Sequence, residues 1–225
     1  MTLKLNQDDR KKILLGIFLL FMFLANTLGT KITTVLGIRL SVGILFMPIL
    51  FVVSDIVGEV YGKREASSFV WLSSGLLVVM IGFIALCIAA EPNPTWTNQE
   101  AYKTIFGSTL RMSFASVLGF VISQLMDVFL FSKIRKATKG RMLWLRNNVS
   151  TIVAQALDTT IFMFLAFYRI TPKYDVPFIF SLIWPYFLCK VVVAIIDTPL
   201  CYLGVKWLKA GEKYSQGLPE DKENH

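Results

Sequence analysis

Six apolar stretches, each about as long as a membrane-spanning helix, constrain the fold of this 225-residue chain more than any other feature. They run approximately from Lys12 to Thr30, Leu40 to Tyr61, Ser67 to Ala90, Met112 to Ser132, Val149 to Arg169 and Phe178 to Val205. About 20 apolar residues in a helix cross the hydrocarbon core of a bilayer. A chain that is 55% hydrophobic also lacks the polar surface that a soluble domain needs. The sequence therefore predicts an all-α integral membrane protein with six transmembrane helices in one bundle.

The positive charges between these stretches predict the orientation. With a cytoplasmic N-terminus, the inner segments hold sixteen lysines and arginines and the outer loops hold six. Cytoplasmic loops of membrane proteins carry such an excess, so we expect both termini in the cytoplasm. Residues 1–11 are then a cytoplasmic segment, residues 12–208 the six-helix domain, and residues 209–225 a cytoplasmic tail whose polar composition predicts disorder. The same bias explains the net charge of +8 without a nucleic-acid partner.

The chain offers no recognisable set of catalytic, cofactor-binding or metal-binding residues. Cys87, Cys189 and Cys201 lie singly in apolar segments, and the one histidine is His225. The sequence contains neither a Gly-x-Ser-x-Gly motif nor a paired metal-ligand motif in or near a span. We therefore expect no enzyme, no cofactor and no metal, and a membrane enzyme acting on lipid is the weaker alternative.

A few polar side chains inside the apolar stretches indicate a site. They are Asn26, Asp55, Glu59, Gln124, Asp127, Gln155, Asp158, Lys190 and Asp197. A charged side chain at the bilayer centre costs about 2.5–3.5 kcal/mol on insertion scales, so these groups should face one another or a wet cavity. One lysine against four aspartates leaves an excess of carboxylates, which suits a donor-rich or cationic ligand or proton coupling. The alternative is that the charges pair and hold helices together, which we favour for Glu59, a structural or gating residue near the cytoplasmic boundary.

Five motifs follow one another along these stretches. They are Ala25-Asn26-Thr-Leu-Gly-Thr-Lys31-Ile, then Pro48-Ile-Leu-Phe-Val-Val-Ser54-Asp55-Ile-Val-Gly-Glu59-Val-Tyr61-Gly62, Gln124-x-x-Asp127-Val-x-x-Phe131, Arg146-x-x-x-Ser150-Thr151-x-x-x-Gln155-x-x-Asp158-Thr159-x-x-Phe162 and Tyr186-x-x-x-Lys190-Val. In content and order they resemble the motifs of the bacterial queuosine-precursor transporter family, six-helix inner-membrane proteins also described as vitamin-uptake proteins. The resemblance extends from about Asn26 to Pro199, nearly all of the membrane domain.

The resemblance implies a multi-pass protein of the bacterial inner membrane that imports a 7-deazaguanine for tRNA modification. The cargo would be 7-cyano-7-deazaguanine, its aminomethyl form or queuine. A guanine-like edge presents two N–H donors beside a carbonyl, and a carboxylate accepts from both donors at once. We expect Asp158 or Asp127 to bind the donors and Lys190 to contact the carbonyl or set the local charge. The expected substrate-binding set is Asn26, Asp55, Gln124, Asp127, Gln155, Asp158, Trp184, Tyr186, Lys190 and Asp197, with Phe23 and Phe162 as further aromatic candidates.

Two other transport functions stay open from the sequence. A substrate-binding subunit of an energy-coupling-factor vitamin importer has a similar length and helix number, but helix one here lacks the Ala-x-x-x-Ala motif through which such subunits dock. A passive channel is the other alternative. The energy source is open between proton coupling and facilitated diffusion, and a homodimer through Gly75, Gly82 and Ala85 is possible.

Overall fold

The computed structural model describes residues 6–35, 37–138 and 143–215, and this part of the chain is mostly helical. Its elements, in chain order, are α1 Gln7–Leu28, β1 Ile32–Val35, β2 Ile38–Ser41, a 3₁₀ helix Val42–Leu45, α2 Met47–Tyr61, α3 Lys63–Ala89, α4 Gln99–Ala137, α5 Leu143–Phe167 and α6 Val176–Ser215. The strands β1 and β2 form an antiparallel hairpin, with Ile32 opposite Ser41 and Val35 opposite Ile38. Gly37 takes a φ of 79° in the connecting turn, a conformation that favours glycine.

Within the described residues, four segments are long and apolar enough to cross a membrane. They are Gln7–Leu28, Val42–Tyr61, Arg64–Ala89 and Gln99–Ile134. Two further apolar helical stretches, Ile152–Phe167 and Val176–Lys190, are shorter. The predicted helical, multi-pass character is therefore confirmed, while the count of six spans and the orientation of the termini stay predictions.

Most helices extend beyond the apolar stretches from which they were predicted, whereas α2 begins at Met47 and not at Leu40, because β2 and the 3₁₀ helix occupy the start of that stretch. Helix α4 begins at Gln99, ahead of the predicted boundary at Met112, and α6 continues to Ser215. Hydropathy detects only the part of a helix that lies in lipid. Polar turns at the ends of a helix are therefore missed. In the first turns of α4 the hydroxyls of Thr104 and Ser108 donate to carbonyls four residues back, at 2.8 and 2.9 Å. The tail predicted for residues 209–225 begins within α6, and residues 216–225 lie outside the described residues.

The first of two compact units comprises Met1–Ala25, Leu45–Leu76 and Lys190–His225. Its buried core contains Leu14, Phe18, Leu50, Val53, Ile56, Val57, Phe69 and Leu208. Polar contacts join the start of α1 to α3 and α6. The Lys11 ammonium lies 2.8 Å from the Glu65 carboxylate of α3. The Arg10 guanidinium lies 5.1 Å from the Trp207 ring centroid and donates to the Trp207 carbonyl. Apolar packing and these terminal contacts thus stabilise the unit.

The second unit comprises Asn26–Ile44 and Leu77–Cys189. It contains the β-hairpin, the second half of α3, all of α4 and α5 and the first part of α6, and α4 packs along α5. The Arg39 guanidinium of β2 lies 5.3 Å from the ring centroid of Phe178 at the start of α6. Side chains that fill this unit include Met112, Ala115, Met163, Phe167, Ile179 and Leu182, all nearly inaccessible to solvent.

Candidate binding site

Helices α4 and α5 come close together at Gly119. A methyl group added there would lie 3.1 Å from Asp158 Oδ1, 3.5 Å from the Asp158 carbonyl oxygen and 3.7 Å from the Phe162 backbone nitrogen. Glycine in a membrane helix lets a neighbouring backbone come this close. Because Gly119 has no side chain, the Asp158 carboxylate can lie against α4 at this position.

An aromatic pair lies next to this carboxylate within the same unit. Phe162, one turn after Asp158 on α5, stacks with Tyr186 of α6 at a centroid distance of 6.4 Å and an interplanar angle of 28°. Phe167 meets the Phe162 ring edge-on at 6.3 Å. Tyr186 is only 2% exposed, and its stacking on Phe162 places it near the turn of α5 that carries Asp158. A carboxylate and a stacked aromatic pair therefore lie within one helical turn of each other.

Chemically, this arrangement matches a flat ligand with N–H donors along one edge. A carboxylate only accepts hydrogen bonds and has lone pairs for several donors. Gln155 lies three residues before Asp158, on the same face of α5, and is partly buried. Its amide can both donate and accept, so α5 alone presents complementary groups to an edge that mixes donors and a carbonyl.

The other predicted site residues are distributed over both units. In the second unit Asn26 is buried, whereas Gln124 is exposed and Trp184 is 65% exposed. In the first unit Lys190 is buried, and Asp55 and Glu59 are exposed on α2. Asp127 and Asp197 lie on α4 and α6, but their side chains are outside the described residues. Of the expected set, the structure thus brings Asp158 and Tyr186 together, with Gln155 on the adjoining turn.

Two residues of this region were not singled out from the sequence. Gly119 is one, and the signal that could have indicated it is an isolated glycine within a long apolar helix, which usually has a packing reason. The other is Arg111, which donates from Nε to the Leu165 carbonyl at 2.6 Å and from Nη2 to the Tyr168 carbonyl at 2.5 Å. A cation placed against carbonyls at a helix C-terminus is favourable, and here it joins α4 to the end of α5. Within the described residues, no group of three or more His, Cys, Asp or Glu side chains could hold a metal ion.

Comparison with known proteins gives a consistent result. A family model described as "Putative vitamin uptake transporter" matches residues 41–204. A protein of Bacillus subtilis (strain 168) named "Probable queuosine precursor transporter" is 34% identical over 192 residues, covering 85% of this chain and 82% of the relative. The "Queuosine precursor transporter" of Escherichia coli (strain K12) is 25% identical over 167 residues, covering 73% of each chain. No solved structure matches the chain.

Proposed function

The chain belongs to the family described as "Putative vitamin uptake transporter", and we propose that its cargo is a 7-deazaguanine precursor of queuosine. It is a multi-pass membrane transporter and not an enzyme. The names of its relatives support the proposed cargo, because two proteins that cover most of this chain are called queuosine precursor transporters. We further propose that it lies in the bacterial cytoplasmic membrane with both termini inside.

The observation that carries this proposal is the Asp158 carboxylate, one helical turn from the stacked pair of Phe162 and Tyr186. A 7-deazaguanine is flat, and one edge bears a ring N–H and an amino group that a single carboxylate accepts together. Hydrogen bonds to a charged group contribute about 1.5–3 kcal/mol each. Because a carboxylate gives up bound water when cargo takes its place, a ligand that lacks the donors would not replace the lost hydrogen bonds and would bind more weakly. Asp158 is thus the residue that selects for the guanine-like edge.

The remaining roles follow from the same ligand geometry. The Gln155 amide donates to the carbonyl that adjoins the two donors, since it lies one turn from Asp158 on the same face. The rings of Phe162 and Tyr186 form a flat apolar wall along which the heterocycle packs.

Uptake in a defined host tests the proposal. The host lacks its own importer and its own synthesis of the base, and carries the insertion and salvage enzymes for each form. Cells expressing the chain receive 7-cyano-7-deazaguanine, the aminomethyl form or queuine, and queuosine in tRNA is scored by its mobility shift on a boronate gel. We expect a shift with at least one compound and its loss in Asp158→Asn at an unchanged protein level in the membrane.

Glu100→Gln is the matched control, because it makes the same carboxylate-to-amide change at an exposed position at the start of α4. It should transport like the wild type. If all three compounds give no shift although the protein is present in the membrane, the proposed cargo is wrong. If Asp158→Asn transports as well as Glu100→Gln, the cargo stands but Asp158 does not bind it.

A further inference from the structure

An open pocket of about 540 Å³ lies where α5 ends and α6 begins, away from the Asp158 site. Its walls include Tyr168, Arg169, Thr171, Asp175 and the two prolines Pro172 and Pro177. The pocket therefore combines a guanidinium, a carboxylate, an aromatic ring and rigid apolar walls. Under the predicted orientation this loop faces the outside of the cell, the side from which an importer receives its cargo.

A network of hydrogen bonds holds the loop in one conformation. The Arg111 guanidinium of α4 donates to the Leu165 and Tyr168 carbonyls. The Arg169 N–H donates to the Tyr174 carbonyl at 3.0 Å, and the Tyr174 N–H donates to the Thr171 carbonyl at 3.0 Å. A pocket with fixed walls spares a ligand the cost of ordering the loop, which favours binding.

Asp175 caps α6 and still has acceptor capacity. Its Oδ1 accepts from the Phe178 N–H at 3.0 Å, the usual role of an aspartate before a helix. A carboxylate has roughly four lone-pair sites, so this one bond leaves room for donors of a ligand. The side chain is exposed at the pocket wall, where a ligand can reach it.

Arg169 takes a strained backbone conformation, with a φ of 56°. Among the described residues it is the one non-glycine residue with a positive φ, a region in which glycine and asparagine fit better. Its guanidinium lies 5.3 Å from the centroid of the neighbouring Tyr168 ring and lines the pocket. Strain of this kind is often retained where a side chain has a function, and here the side chain is the pocket's cation.

The pocket lies at the common end of the two helices that carry the candidate site. Asp158 precedes Tyr168 by ten residues, and Tyr186 follows Val176 by ten residues. At 1.5 Å per residue, each helix covers about 15 Å between the pocket and the Asp158 site. A ligand that leaves the pocket along α5 and α6 therefore reaches Asp158 within a short distance.

We propose that this pocket is an outer binding site that a flat, guanine-like heterocycle occupies before it reaches Asp158. Asp175 accepts from the N–H donors of the heterocycle and Arg169 donates to its carbonyl, while Tyr168 and the prolines contact its faces. The inference rests on the proposed function. Cargo held in this pocket lies about 15 Å from the Asp158 site, so occupancy of the pocket lowers the external concentration that is needed for uptake.

Two substitutions remove the binding groups while preserving the loop. Arg169→Asn removes the guanidinium and places at this φ a residue that tolerates it well. Asp175→Asn removes the charge but keeps an equally good helix cap. Lys173→Asn is the matched control, because it removes a positive charge from the same exposed loop without touching the pocket wall.

The measurement is the initial rate of uptake of labelled 7-deazaguanine cargo against its external concentration, at equal protein levels. We expect Arg169→Asn and Asp175→Asn to raise the half-saturating concentration at least fivefold, with maximal rates within twofold of the wild type. Thermal stability of Arg169→Asn should equal or exceed that of the wild type, and Lys173→Asn should behave as the wild type. Arg169→Lys, which keeps the charge at the same φ, should recover part of the affinity.

The outcomes separate the two proposals. If the wild type takes up none of the three deazaguanines, the proposed function fails and this inference fails with it. If the wild type transports but both pocket variants keep its half-saturating concentration, the outer site alone is wrong. Equal losses in the pocket variants and in Lys173→Asn would also overturn it, since the effect would then come from loop charge in general.

Discussion

The Gly119→Ala substitution is the sharpest test of the contact between α4 and the Asp158 carboxylate. The new methyl would lie 3.1 Å from Asp158 Oδ1, a distance at which the neighbour must shift by a few tenths of an ångström. Its distances to the Asp158 carbonyl oxygen and the Phe162 nitrogen, 3.5 and 3.7 Å, are ordinary van der Waals contacts. The helices therefore need not separate, and the strain falls on the carboxylate, which can rotate away.

The expected loss is moderate and specific to cargo binding. Turning the carboxylate weakens the two hydrogen bonds, which contribute about 1.5–3 kcal/mol each, and a loss equal to about half of one bond amounts to about 0.8–1.5 kcal/mol. This corresponds to a rise of about four- to twelvefold in the half-saturating concentration of cargo. Alanine is favoured over glycine inside a helix by about 1 kcal/mol, so the folded protein should be as stable as the wild type or more so.

Gly107→Ala is the control, because it lies on the same helix and a methyl there has no neighbour within 4 Å. Uptake kinetics of both variants are measured in the queuosine-deficient host, and thermal unfolding is measured on the purified proteins in detergent. Gly119→Ala should lose affinity and keep stability, and Gly107→Ala should keep both. Equal half-saturating concentrations in the two variants would refute the reasoning, as would a loss of stability that accounts for the loss of uptake.

Substitutions at one further position in each unit test the packing of that unit. Tyr186→Phe keeps the ring that stacks with Phe162, so its uptake rate should stay within about threefold of the wild type. Tyr186→Ala removes the ring and should abolish uptake and lower the free energy of unfolding by about 3–5 kcal/mol. If the Phe variant were as inactive as the Ala variant, the hydroxyl and not the ring would have the role. In the first unit, Gly204→Ala would place a methyl against Cδ1 and Cγ1 of the buried Ile56, and overpacking of this kind costs about 1–3 kcal/mol. Thermal unfolding should show this loss of stability in Gly204→Ala. The double variant with Ile56→Val lacks Cδ1 and should regain part of the stability. A double variant as unstable as Gly204→Ala would contradict the contact between Gly204 and Ile56.

The sequence predicts those features of the molecule that depend on one segment at a time. The lengths of the apolar stretches indicated helices, and α2 ends at Tyr61, where the second apolar stretch was predicted to end. The pairing of Gln155 with Asp158 on one helical face also follows from spacing alone. The β-hairpin was not foreseen, because its strands are only four residues long and the second overlaps the start of the apolar stretch predicted from Leu40.

Features that depend on two distant segments could not be predicted in this way. The cost of a charge in lipid predicts that Asp158 faces away from lipid, but not that it lies against Gly119, 39 residues earlier. Likewise, Arg111 counts as a charge of an outer loop in the sequence, whereas in the structure it binds carbonyls at the end of α5. Such contacts depend on how the two helices are aligned, which hydropathy does not determine.

That alignment is fixed at two points on α4, which determines what the Gly119 experiment measures. Arg111 and Gly119 are eight residues apart, so they lie about 12 Å apart along the helix. Arg111 contacts Leu165 and Tyr168, while Gly119 contacts Asp158 and Phe162, so α5 runs antiparallel and in one register through both contacts. To relieve a methyl at Gly119 by sliding, α5 would have to break both charged hydrogen bonds of Arg111, each of which contributes about 1.5–3 kcal/mol. Rotation of the Asp158 carboxylate is the less costly response, so the substitution reports on that group and not on helix register.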